Sequence, residues 1–288
     1  MRFLRKFLSR PSNLAAAAVI AAVTLVAIAA PLVSPWDPLQ IFSGLRNVPP
    51  FTSGHILGTD QAGRDVLSRL IWGGRVTLVM GTVPVALSMV IGTLLGLVAA
   101  YYAGILGFII LRLMEVLFAF PLVLLAVLAA AVFGNGMVNA MLAMSVAMVP
   151  YVIRAVYAAA RPAMGLTYVE ASIVRGASAS HVMLAEILPS IFPSLVVFAT
   201  SMIPLFIVFA AGLSYLGVAI QPPTPEWGLM IAEGQQVIQV APYVSTVPGV
   251  VLLVVCFCLN VISDRLQREL DPRTRQGHGT GLSASEGT

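Results

Sequence analysis

An all-α integral membrane fold, with six transmembrane helices and both termini on the cytoplasmic side, is predicted by three observations. The chain has 288 residues, of which 59% are hydrophobic and only 10% charged, against about 25% charged in an ordinary soluble domain; its mean hydropathy is +0.95. Apolar stretches of bilayer length recur at 13–33, 77–100, 113–133, 137–158, 190–215 and 246–263, each near the roughly twenty residues a helix needs to cross. The basic residues, finally, are unevenly shared between the segments that join these stretches. With the N-terminus inside, the inner side receives Arg2, Arg5, Lys6, Arg10, Arg112, Arg154, Arg161, Arg175, Arg265, Arg268, Arg273 and Arg275, and the outer side only Arg46, Arg64, Arg69 and Arg75. That bias sets the orientation as N-in, C-in by the positive-inside rule.

A basic cytoplasmic tail, 1–12, precedes the first span at 13–33. A secretory signal has an apolar core of only about 7 to 15 residues, so this bilayer-length run reads as an uncleaved helix. Residues 34–76 form an extracytoplasmic segment. In it, GTDQAGRDVLSRL sets Asp60 with Arg64 and Asp65 with Arg69 at i, i+4 spacing. This predicts an interfacial helix leading into the second span, each pair contributing about 0.2–0.5 kcal/mol if exposed. Two roles are open for Asp60, Arg64 and Asp65: stabilising that helix, or forming a gate or docking surface at the outer mouth.

Residues 77–265 carry the other five spans. Pro84, Pro121, Pro150, Pro193 and Pro204 lie inside them, which a packed bundle tolerates better than an isolated helix. Small residues, as in GTLLGLVAAYYAG from Gly92, permit close helix contact. Arg112 and Glu115, i, i+3 neighbours near the inner end of the third span, and Asn260 and Asp264, at the inner end of the sixth, are near enough to the interface to pair locally. No midplane carboxylate or histidine offers a proton relay. The only cysteines, Cys256 and Cys258, point to different faces of a helix and read as packing or lipid-facing side chains. Lysine occurs once, at Lys6, which excludes the Gly-rich phosphate loops that end in Lys. His55, His181 and His278 lie in separate segments without a nucleophile or metal spacing, against an enzymatic role.

Between the fourth and fifth spans, TYVEASIVRGASASHVMLAEILP, residues 167–189, interrupts the apolar pattern on the cytoplasmic side. Thr167 and Glu170 have the spacing of a capping box, so a helix is expected from about Tyr168. Gly176 can end it in a left-handed conformation, Ser178 can cap a second helix, and Pro189 should stop that helix. Helices this short are marginal alone, so a partner must dock against them. Glu170 and Glu186 balance Arg175 and any charge on His181, whereas helices that lie on anionic lipid are usually rich in Lys and Arg; a protein partner fits better. On the outer side, Pro222, Pro223 and Pro225 impose an extended or turn-like path. Residues 226–240 then read as a lateral or shallow re-entrant helix, with Glu226 and Glu233 making its edge acidic: a docking surface, or a cap that covers the bundle.

The 167–189 passage resembles the EAA loop of permease subunits of ATP-binding cassette importers, through Glu170, Ala171, Gly176 and the pair Leu188–Pro189, with Ser172 in place of the second alanine. HILGTDQAGRDVLSRLIWGGRVTL from His55, AIQPPTPEWGLMIAEG from Ala219, AFP at 119–121 and LDPR at 270–273 resemble segments of the C-type permease of dipeptide, oligopeptide and nickel importers. The likeness runs from about Trp36 to Arg273. It implies a type I importer permease fold with a coupling loop at 165–189 that sits on a separate ATPase through Thr167, Glu170, Ala171, Ser172, Gly176, Ala177, Ser178, Leu188 and Pro189. It also implies a B-type sister permease, two ATPase subunits that bind MgATP, and an extracytoplasmic substrate-binding protein. Asp60, Arg64, Asp65, Glu226, Trp227 and Glu233 are then candidates for the outer gate or for docking that protein. No cofactor or metal is expected in this chain, its surroundings are the lipid of a bacterial inner membrane, and no nucleic acid partner is expected. Peptides are the implied cargo, nickel or another small solute the alternative, and an autonomous secondary transporter or channel the reading from another class. The cytoplasmic tail, 266–288, ends in a Gly- and Ser-rich stretch expected to be disordered.

Overall fold

The computed structural model describes residues 11–102 and 104–270; the basic tail up to Arg10 and the tail beyond Leu270, with its expected disorder, lie outside the described residues. All regular elements among these residues are helical: α1 (Pro11–Ile28), α2 (Val66–Tyr101), α3 (Ile105–Phe118), α4 (Leu122–Phe133), α5 (Met137–Ala163), α6 (Thr167–Val174), α7 (Leu188–Tyr215), α8 (Trp227–Gln235) and α9 (Tyr243–Leu270), with short turns at Ala30–Val33 and Ala179–His181.

The apolar run predicted as the first span forms α1. The second span differs from its prediction. No separate interfacial helix precedes it; residues 59–65 are turns, and α2 runs unbroken for 36 residues from Val66, roughly 54 Å at 1.5 Å per residue. Asp65 sets this start as the N-cap, its carboxylate accepting the Ser68 amide at 2.7 Å, which satisfies a free N–H of the first turn.

The stretch predicted as a third span at 113–133 is two half-helices, α3 and α4, bent by 86°. The break falls on the AFP tripeptide, because Pro121 has no N–H to give and turns its predecessor away from helical geometry. The pair nevertheless crosses. At one end Asn135 and Gly136 bond to Gly217 and Val218, just past α7; at the other, Gly107 donates to the Tyr102 carbonyl at the far end of α2. Counting the bent pair once gives six spans, in the N-in, C-in order assigned by the arginines.

Inside a bilayer there is little hydrophobic gain from bringing helices together, so close approach of small residues has to supply the contact. The crossing of α2 and α5 is built this way. A Cβ on Gly92 would lie 2.5 Å from Val152 Cβ, and one on Gly96 2.7 Å from Val156 Cβ. Met80, Leu97, Met144, Met148 and Phe206 fill the main core, and Val66, Ile207, Trp227, Met230 and Val255 form a second cluster toward the outer end. Cys256 and Cys258 are both buried. Arg112 and Glu115 pair on α3, both more than half exposed, and Asn260 donates to the Cys256 carbonyl at 2.9 Å.

Candidate functional site

The cytoplasmic passage folds largely from local signals. α6 begins at Thr167, one residue earlier than expected, with Leu166 at the N-cap position and no side-chain cap. The predicted Thr167–Glu170 capping box is therefore absent: Thr167 is already helical, and Glu170 contributes only its charge near the positive end of the helix dipole. The C-terminus follows the sequence. Gly176 has φ +82°, its amide donates to Ile173 O at 2.9 Å, and the Ala177 amide reaches back to Ser172 O at 3.1 Å. These are the two bonds of a Schellman turn.

Ser178 accepts from the His181 amide at 3.3 Å and starts the next helix. Pro189 does not end it. Residues Val182–Ile187 widen into a π turn, in which the Leu188 amide donates to Met183 O five positions back. The wider register removes the bond and the clash that a proline brings to an α-helix, so the expected second short helix is the cytoplasmic extension of the fifth span, continuous over Ala179–Tyr215. Val169, Ser172, Val182 and Ile187 are buried and hold α6 against this extension. The Ser172 hydroxyl lies 3.5 Å from Glu186 Oε1, and His181 Nε2 is 3.7 Å from the same oxygen.

All nine residues expected at an ATPase contact belong to this one passage. Thr167, Glu170, Ala171, Gly176, Ser178 and Pro189 are exposed, Ala177 and Leu188 half-buried, and Ser172 buried. Ser172 faces inward, which explains why that position takes a small residue. Sequence reasoning passed over the apolar side chains of the exposed face: Tyr168, Ile173 and Val174 are exposed between Glu170 and Arg175, Val174 at 87%, and no element among the described residues covers them.

The outer residues behave differently. Asp60, Arg64, Asp65, Glu226, Trp227 and Glu233 are all buried, so they do not form a free docking surface, and the two glutamates do not acidify the outer edge. Asp65 and Arg69, expected to pair, do not: Asp65 accepts from Ser68 and meets His55 Nδ1 at 2.8 Å. Asp60 and Arg64 do pair, at 2.7 Å, but across a turn rather than along a helix.

Four of these charges close into a ring. Arg64 reaches both Asp60 and Glu233, the latter at 3.1 Å, and Arg69 reaches the same two acids at 2.5 and 2.7 Å. Two positive and two negative charges cancel, which is the condition for tolerating charges away from water. Alongside, Glu226 caps α8 by accepting from the Gly228 and Leu229 amides, and also accepts from the Thr77 hydroxyl at 2.9 Å. Trp227 donates from Nε1 to the Leu70 carbonyl at 2.9 Å and packs against Gly73 and Gly74 of α2. The Tyr243 hydroxyl, 2.7 Å from Val48 O and 3.0 Å from Thr59 O, ties the outer segment to the start of α9. Polar contacts of Arg69, Thr77 and the Leu70 carbonyl therefore lock the lateral helix and the outer segment onto the second span, and Tyr243 ties the outer segment to α9. The partners of Thr77 and Tyr243 and the Arg69–Glu233 contact were not legible, because each joins residues far apart in sequence; the His55–Asp65 and Arg69–Asp60 contacts, close in sequence, depend on the turns between them.

Comparison with known proteins agrees with this architecture. Residues 92–276 match the family described as binding-protein-dependent transport system inner membrane component, and residues 1–50 match the N-terminal transmembrane domain of oligopeptide transport permease C. The chain is 36% identical to the glutathione transport system permease protein GsiD of Pectobacterium atrosepticum, over 95% of this chain and 91% of that protein. It is 37% identical to the di/tripeptide transport system permease protein DppC of Pseudomonas aeruginosa, over 88% and 85% of the two chains. Identity is also 37% to the dipeptide transport system permease protein DppC of Haemophilus influenzae, over 88% of each.

Proposed function

Because the chain belongs to the family of inner membrane components of binding-protein-dependent transport systems, we propose that it is one half of the translocation path of an ATP-driven importer for short peptides. A B-type sister permease supplies the other half, two ATPase subunits bind MgATP, and an extracytoplasmic binding protein delivers the cargo. Glutathione, dipeptides and tripeptides, the cargoes in the names of its relatives, are all short peptides with free carboxylates, and this favours peptides over nickel.

The observation that carries the reading is α6: a short helix with an exposed face on which Tyr168, Ile173 and Val174 alternate with Glu170 and Arg175, fixed by a Schellman turn to a continuous helix that spans the membrane. A helix of eight residues is not stable by itself in water. Seated on an ATPase, it would turn the closure of that subunit into a displacement of α7 and α5, and transport would be a population shift between inward- and outward-open states without covalent chemistry in this chain. Asp60, Arg64, Arg69, Glu226 and Glu233 hold α8 and the outer segment together, so that part of the outer end acts as a rigid body in the cycle.

The test is reconstitution. In liposomes the assembled complex should accumulate a labelled dipeptide only with MgATP and the binding protein present. Uptake by this chain alone under an ion gradient would instead establish an autonomous carrier.

A further inference from the structure

A cleft of about 480 Å³ opens at the outer end of α2, between that helix, the segment after α1, the start of α5 and the proline-rich turn before α8. It falls in the size range of small-molecule sites, about 300–1,000 Å³. Its lining includes Asp37, Leu39, Trp72, Arg75, Met137 and Pro225. Arg75 stands nine residues into α2, roughly 14 Å below its start. Its guanidinium lies 5.5 Å from the centre of the Trp72 ring, and among the described residues no carboxylate pairs with it.

This sets Arg75 apart from Arg64 and Arg69, which Asp60 and Glu233 neutralise. Asp37 uses one carboxylate oxygen to accept from the Leu39 amide at 2.8 Å; it lines the same cleft as Arg75 without forming an ion pair with it. Asp37 and Arg75, both exposed, offer the cleft one negative and one positive charge beside the Trp72 ring, which matches a ligand with a positive and a negative end. An anionic phosphate would be met by Arg75 but repelled by Asp37.

The cleft also heads a side of α2 that no element among the described residues covers. Val79, Leu87, Val90 and Leu94 are exposed along it, while Gly73, Gly74 and Thr77 on another face pack on Glu226 and Trp227. A sister chain seated on this side of α2 would place the cleft beside the path between the two permeases.

We propose that this cleft is an entry subsite for the zwitterionic peptide, with Arg75 holding its C-terminal carboxylate, Asp37 its ammonium group and Trp72 an intervening side chain. The proposal rests on the importer reading and assigns a residue-level site within it.

The test bypasses the selectivity of the binding protein. The purified complex, without binding protein, is illuminated with a tripeptide carrying benzoylphenylalanine, and the labelled segment is identified by mass spectrometry. Labelling is expected within 72–79 or at Met137. It should fall about tenfold or more with the C-terminally amidated tripeptide or with Arg75→Gln, the scale of a lost charge-assisted hydrogen bond, and recover in Arg75→Lys. ATP-driven uptake with the binding protein present should fall in Arg75→Gln while ATP hydrolysis stays within about twofold. Equal labelling by the acid and the amide, or unchanged labelling in Arg75→Gln, overturns the subsite and leaves the importer reading intact. Absence of any ATP-driven peptide uptake by the wild-type complex overturns the importer reading itself.

Discussion

Arg64 and Glu233, 169 positions apart in sequence, meet at 3.1 Å inside the outer end of the molecule. Their contact joins the lateral helix to the outer segment, beside the anchors of Glu226 and Trp227 on the second span. Glu233 also faces Arg69 at 2.7 Å, so its loss leaves two buried guanidinium groups with Asp60 alone. Breaking a buried ion pair from one side costs about 3–5 kcal/mol. Glu233→Gln is therefore expected to lower the melting temperature in detergent clearly, and to open the 34–65 segment to protease. Arg112→Gln, which removes an exposed pair, should change melting very little. Equal melting of the two variants would refute the ring as a structural clamp.

The α2–α5 crossing makes a second prediction. Gly92→Val would place a branched side chain where even a Cβ comes within 2.5 Å of Val152, whose own Cβ is fixed to backbone rather than at a flexible tip. Overpacking of this kind typically costs about 1–3 kcal/mol, and here it acts at the most intimate helix pair. The variant should insert but melt earlier and resist protease less. Gly212→Ala, with nothing within 4 Å of the added atom, is the control and should behave as wild type.

Gly176 supplies a third. It has φ +82° and open space around it, so substitution is opposed by backbone conformation alone. A β-branched residue in the left-handed region costs about 1–2 kcal/mol, enough to shift the Schellman turn. Gly176→Val should leave insertion and sister-chain pairing intact while ATP hydrolysis loses its coupling to uptake. Gly176→Asn, which tolerates positive φ better, should retain most uptake. Wild-type uptake in the valine variant at equal membrane levels would remove the turn from the coupling path.

Hydropathy was sufficient to read the number of spans and the polar passage between the fourth and fifth, because bilayer crossing depends on runs of twenty or so residues; the break in the third needed the structure. Gly176 and Ser178 were legible for a related reason: each acts on backbone groups within five positions. Thr167 misled, since a capping box and a first-turn threonine share the same letters and only the path of Leu166 tells them apart. Pro189 misled because a π turn can absorb a proline that an α-helix cannot. The outer charges misled most. The i, i+4 spacing of Asp65 and Arg69 invited a helical pair, but Gly63, with φ +84°, turns the chain before the helix begins. Arg69 then faces Glu233, a partner from a distant segment that no local pattern could indicate.

The uncovered face of α6 makes the last prediction. Val174 is 87% exposed at the C-terminal end of the helix, with Tyr168 and Ile173 also uncovered, whereas Val169 and Ser172 on the other side hold the helix to the bundle. An exposed valine contributes little to the stability of the isolated chain, so Val174→Asp should leave its melting temperature and membrane level unchanged. Against a partner, the same change buries a carboxylate in an apolar contact, at a cost of several kcal/mol if it stays unpaired. ATPase subunits should then fail to co-purify, while the sister permease still does. Val169→Asp, on the inward face, should instead destabilise the chain itself. Retention of the ATPases by Val174→Asp would mean that this face is not their seat.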